Sequence, residues 1–141
     1  MGTVYKPIFV QDGQYLTFEN GESSSSITLG QVVMLDTSNA GKVKIGTAAG
    51  KANAIGVAVA TRATSAMLGD SDYDEVAVGA KLSVITWGIV WVTASGSISI
   101  GDSVECANSG AVAQGTTNVI GTALTAASDG EDVKILLRRR W

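Results

Sequence analysis

The sequence predicts an all-β protein, a small barrel or sandwich built from two related β units with an extended N-terminal arm. Three observations predict it. Seventeen Gly, one Pro and abundant Val, Ile, Thr and Ser favour short strands joined by tight turns. The longest apolar run lies in VITWGIVWVTASGSISIGDSV, residues 84–104, and alternates two faces with period two. Four short motifs also recur in the same order in both halves of the chain.

Taken in order, residues 1–12 form the arm, with Tyr5, Ile8 and Phe9 as large apolar groups around Pro7. Residues 13–18 read as a strand after an Asp12-Gly13 turn, and 20–26, with its run of Ser, as a loop. A strand over 27–35 is broken at Gly30, and 37–41 is a turn in which Asn39 and Gly41 best tolerate positive φ. Strands follow at 42–45 and 54–60, separated by a small, polar loop. Residues 62–74 are the least regular and have room for a helical turn around Ala66-Met67-Leu68. A strand over 75–82, broken at Gly79, leads into the central one.

That central strand places Ile85, Trp87, Ile89 and Trp91 on one face and Val84, Thr86, Gly88, Val90 and Val92 on the other. Both faces are largely apolar, so the strand is expected to be covered on both sides. Trp87, Ile89 and Trp91 are thus expected in the core or at a subunit interface. Ala94-Ser95-Gly96 ends the run, Ser97 to Ile100 reads as a short strand and Gly101-Asp102 as a turn. A last strand, 133–137, runs into Arg138-Arg139-Arg140-Trp141.

The repeat is read from four matches. Ile27-Thr28-Leu29-Gly30 pairs with Ile98-Ser99-Ile100-Gly101, and Asn39-Ala40-Gly41 with Asn108-Ser109-Gly110. Ile55-Gly56-Val57-Ala58 pairs with Ile120-Gly121-Thr122-Ala123, and Val76-Ala77-Val78 with Val133-Lys134-Ile135. The units span about 27–78 and 98–137 of one β domain, 13–141. A few strands cannot bury a face alone, so the units should share one core.

The composition narrows the chemistry. There is no His, the commonest general base, and a single Cys106 can form neither an internal disulfide nor a Cys-rich metal site. A net charge of −3 argues against a general nucleic-acid partner. No apolar run approaches a membrane span, and Met1 to Val10 lacks a signal-peptide core, so synthesis in a cytoplasm is expected. The acidic run Asp70 to Glu75 fails as a calcium loop, because Glu75 stands where the turn needs Gly and Lys81 where Glu should close it. Gly46 to Lys51 is too short for a phosphate loop, and Ala52 replaces the magnesium-holding hydroxyl. Lys42, Lys44 and Lys51 lack the setting of a carrier-domain lysine. No enzyme and no cofactor is expected.

Several stretches together resemble the capsid cement, or head decoration, proteins of tailed bacteriophages. They are Tyr15 to Phe18 with the Ser-rich loop, Ile27 to Val33, Ile55 to Ala58, Gly88 to Val92, Ile100 to Val104, Ile120 to Leu124 and Val133 to Leu137. The resemblance covers roughly 13–137. It implies a β-tulip or SH3-like barrel, or a jelly-roll-like sandwich, on the outer surface of the expanded head. The implied partner is the major capsid protein, and the implied state a homotrimer, with a dimer as the alternative. The family has no catalytic residues. The two ends match no family pattern, so capsid binding is assigned to them on their residues: Val4, Tyr5, Ile8 and Phe9 to extend a capsid strand, and Arg138, Arg139, Arg140 and Trp141 as a second anchor. The competing reading is a carbohydrate-binding or adhesive β module that uses exposed aromatics as its platform.

Overall fold

The computed structural model describes residues 14–23, 25–61 and 75–138. The arm, the turn expected around Ala66 to Leu68 and the acidic residues Asp70, Asp72 and Asp74 lie outside the described residues. Among the described residues strands dominate and helix is limited to short 3-10 turns, so the protein is nearly all β. The strands are β1 (Gln14–Asn20), β2 (Ile27–Thr28), β3 (Val32–Leu35), β4 (Lys42–Ile45), β5 (Ala54–Thr61), β6 (Glu75–Val76) and β7 (Lys81–Thr93). β8 (Ser103–Cys106), β9 (Val112–Gln114), β10 (Gly121–Ala123) and β11 (Asp132–Leu137) follow.

The first half closes into a five-stranded barrel. β1 pairs with β4 and β7, β7 with β5, β5 with β3, and β3 with β4. Closure removes the free edges that would template pairing with other chains. β1 and β4 run parallel, and the other pairs in this ring are antiparallel. The second half runs β7, β11, β10, β8, β9. A parallel bridge between Ala94 and Val112 brings β9 back to the end of β7. β7 therefore belongs to both rings: β1 and β5 pair with its first part and β11 with its second.

The same hydrogen bonds recur in the two halves. Gly30 N–H donates to Ala58 O at 2.7 Å, and Gly101 N–H to Ala123 O at 2.8 Å. Gly21 N–H donates to Val43 O, and Ser95 N–H to Val112 O. Gly79 N–H donates to Asn20 O, and Gly130 N–H to Ala94 O. The registers agree: Val33 pairs with Gly56 as Val104 does with Gly121, and Leu35 with Val43 as Cys106 does with Val112. One sequence match is displaced. Ile27 pairs with Val76, whereas Ile98 bridges Ala127, so Val76 corresponds to Ala127. Val133, opposite Val92, corresponds to Leu82, opposite Phe18.

Two buried clusters result. One fills the first barrel, with Ile27, Val33, Val43, Ala58, Leu82 and Val84. The other is centred in the second half on Ile98, Val104, Val112, Val133 and Ile135. It also takes in Val32, Val57 and Ile85, which come from the first half. The first barrel's outer side thus packs on the second half's core.

The central strand departs from expectation. Its even-numbered residues from Leu82 to Val92 are buried, but Trp87 is 48% exposed, and Ile89 and Trp91 are half-buried outside both clusters. Within one chain the strand is covered on one face only along its second part. The predicted strand at Ser97 to Ile100 reduces to a single bridge at Ile98, with Ile100 at 72% exposure.

Candidate functional site

Two features can carry function: the outward face of the second half and the seam between the halves. On the outward face Ile89 pairs with Leu136, which pairs with Thr122. One row further, Trp91 pairs with Lys134, whose Nζ lies 5.7 Å from the Trp91 ring centroid. This contact holds a cation over an aromatic face. Trp87, Ile89, Trp91 and Leu136 make an apolar strip on rigid strands, and a strip of this kind suits contact with another protein.

Arg138 follows β11 and is exposed. Its backbone N–H donates to Ile120 O at 2.7 Å, and its Nη2 lies 3.5 Å from Thr122 Oγ1. The chain is therefore tied to β10 at the point where the basic tail begins. Val4, Tyr5, Ile8, Phe9, Arg139, Arg140 and Trp141 lie outside the described residues.

Polar groups cross the seam. Lys51 Nζ sits 2.7 Å from Glu105 Oε1, and Glu105 Oε2 accepts the Thr117 N–H. The Lys51 hydrogen bond, above all, holds the Glu105 carboxyl below its ordinary value. Gln31 Nε2 donates to Ser109 O, Gly110 N–H to Gly46 O, and Ala48 N–H to Asn108 Oδ1. Gly46 is required here, since a Cβ would stand 2.5 Å from Cys106 Sγ. Burial, followed by the negative Glu105, pushes the Cys106 thiol up to about 11, so it stays a neutral, unreactive packing group. Beside the seam lies a cavity of about 160 Å³, lined in part by Lys51, Thr86, Asn118 and Arg138.

Sequence reasoning missed Gly46, Lys51, Glu105 and Cys106 as seam residues. Their partners lie tens of residues away, and no local pattern marks them. Among the described residues no group of three potential metal ligands occurs, and no helix is long and apolar enough to cross a membrane.

Comparison with known proteins bears on this arrangement. The family model for the structural cement protein (E217 gp24/Pam3 gp6) matches residues 10–138. The chain belongs to this family of phage structural cement proteins. No curated protein matches the chain. Among solved structures it is similar to the head fiber gp8.5 N base in bacteriophage phi29, with a TM-score of 0.60 and 18% identity. That match covers 88% of this chain and 92% of the other, and at this identity it bears on the fold. The protein is a capsid cement, a structural component associated with the phage capsid in the virion. Family membership supports this reading over a carbohydrate-binding module.

Proposed function

We propose that the chain binds the outer surface of the expanded phage head, across seams between copies of the major capsid protein, and holds them against internal DNA pressure. The observation that carries this reading is the apolar strip at Trp87, Ile89 and Trp91, set on a closed β scaffold in a chain of the cement family. A ligand that binds only the expanded shell stabilises that shell by mass action. Many copies on one shell multiply a modest contact. The protein is made in the host cytoplasm and works as a homotrimer, or a dimer, without catalysis. Residues 1–12 form the arm of a single β domain, 13–141. Val4, Tyr5, Ile8 and Phe9 add to a capsid strand by strand pairing, and Arg138, Arg139, Arg140 and Trp141 anchor the other end.

Co-sedimentation tests this with expanded heads and unexpanded procapsids, both prepared without the protein. Saturable pelleting with expanded heads alone is the expected result, and its stoichiometry gives the symmetry position. Pelleting with neither shell removes the reading. Removal of residues 1–11, or truncation after Leu137, should each weaken binding; full binding by either variant removes the role given to that end.

A further inference from the structure

The seam inside the chain leaves a matched pair of surfaces unused at its two outer ends. On the first half, Val59 and Ile85 face the second half's core, Val59 half-buried and Ile85 fully buried. On the second half, Val90 and Cys106 are covered, at 0% and 1% exposure. The repeated registers assign each a counterpart. Ile85 pairs with Val57 as Leu136 pairs with Thr122. Val59 follows Ala58 as Leu124 follows Ala123, and Ala58 pairs with Val84 as Ala123 does with Ile135. Val90 pairs with Ile135 as Leu16 pairs with Val84. Cys106 pairs with Val112 as Leu35 pairs with Val43.

All four counterparts are leucines, and none is fully buried. Leu16 is 51% exposed, Leu35 41% and Leu124 36%, and Leu136 is half-buried. The nearby turn repeats the contrast. A Cβ on Gly30 would lie 3.9 Å from the Trp91 carbonyl, whereas one on the equivalent Gly101 would meet nothing within 4 Å. The second half therefore presents at Leu124 and Leu136 the surface that the first half uses to cover its neighbour. The first half presents at Leu16 and Leu35 the surface that, in the second half, is covered.

We infer that copies of the chain associate head to tail, with Leu124 and Leu136 of one copy seated on Leu16 and Leu35 of the next. This repeats between chains the contact made within each chain. Such a contact is heterologous, and it closes as a ring where its rotation permits. It deepens the oligomer part of the reading above by naming the contact. It is tested without capsid shells, so its failure is distinguishable from failure of shell binding.

Sedimentation velocity of the full chain is the test, with Leu35→Asp and Leu124→Asp made singly. Wild type should sediment as a closed oligomer at tens of micromolar, and each variant as a monomer with an unchanged circular dichroism spectrum. An equimolar mixture of the two variants should form a dimer, because one intact donor face then meets one intact receiving face. Leu16→Asp replaces Leu35→Asp if the latter unfolds. A monomeric wild type, variants that keep the wild-type size, or a mixture that stays monomeric would each overturn the inference.

Discussion

The two halves share a ladder but differ at its margins. In the first, Asn20 is fully buried; its Nδ2 donates to Val76 O at 2.8 Å and its Oδ1 accepts the Glu22 N–H. The equivalent residue in the second half is Ala94, and Asp129 caps the Gly96 N–H instead. The first barrel closes with two parallel pairs and a Lys42–Glu19 ion pair at 3.1 Å, the second with a single bridge. The lesson is that the hydrogen-bond frame is fixed, while side chains at equivalent points answer to what covers them. Ile85 and Leu136 are the clearest case: same register, but one sealed and the other half-open.

Four substitutions test that contrast, in falling order of effect. Gly56→Ala drives a Cβ into the Ile85 carbonyl oxygen, and Gly121→Ala drives one into the equivalent Leu136 carbonyl. Each should cost about 3 kcal/mol or more in urea unfolding, with Gly56 the worse because it also meets Val84. Two harmless substitutions would show that the frame is looser than described. In the monomeric Leu124→Asp background, Ile85→Ala should cost about 3 kcal/mol by opening the covered seam, and Leu136→Ala only about 1. Equal losses would break the comparison between covered and open faces.

Asn20→Ala copies the second half's residue into the first. It should cost about 2 kcal/mol, because the Val76 carbonyl and the Glu22 N–H lose their partner; a neutral result would mean that water replaces the amide. The smallest effect is electrostatic. The Asn39 side chain, above all, and the Ser38 N–H hold Asp36 below its ordinary value near 3.8, while Lys51 holds Glu105 below 4.5. Lowered carboxyl values give stabilisation that is present above the ordinary values and lost as pH falls through the folded-state ones. Lys51→Met should cost up to about 1 kcal/mol at neutral pH and flatten the acid limb of the stability profile. An unchanged acid limb would remove Glu105 from it.

Much of the ladder was legible in the residues. Val43 and Ile45, Ile55 to Ala58 and the run through Val92 alternate or cluster as strands do, and Gly30, Gly41 and Gly79 take the positive φ that turns require. Local pattern could not show closure, because β1 reaches β4 and β7 across most of the first half. Nor could it show that Trp87 is open, since an apolar strand reads alike whether its cover is its own chain or another. The displaced match of Val76 to Val133 has a similar cause: Val-x-Val recurs in any strand, and only the pairing of Ile27 with Val76 and of Ile98 with Ala127 sets the frame. Ser109, at φ 60°, sits where sequence favours Asn or Gly, and its carbonyl is held by Gln31 from the other half. Of the candidate site, the family and the aromatic strand were readable; the seam depends on contacts between distant residues.

The sharing of β7 has a mechanical consequence. At roughly 3.3 Å per residue the strand is about 40 Å long. Its pairing passes from β1 to β11 between consecutive residues, Gln14 opposite Trp87 and Leu137 opposite Gly88. Immediately before that handover the β1 register shifts, from Tyr15 opposite Ile85 to Gln14 opposite Trp87, so a bulge in the ladder sits beside the junction. Tension between the halves runs along a single covalent backbone, and it loads the flanking hydrogen bonds in shear, many at once, not one after another as in unzipping. β7 is therefore a tie: what pulls on one half is carried along one continuous strand to the other.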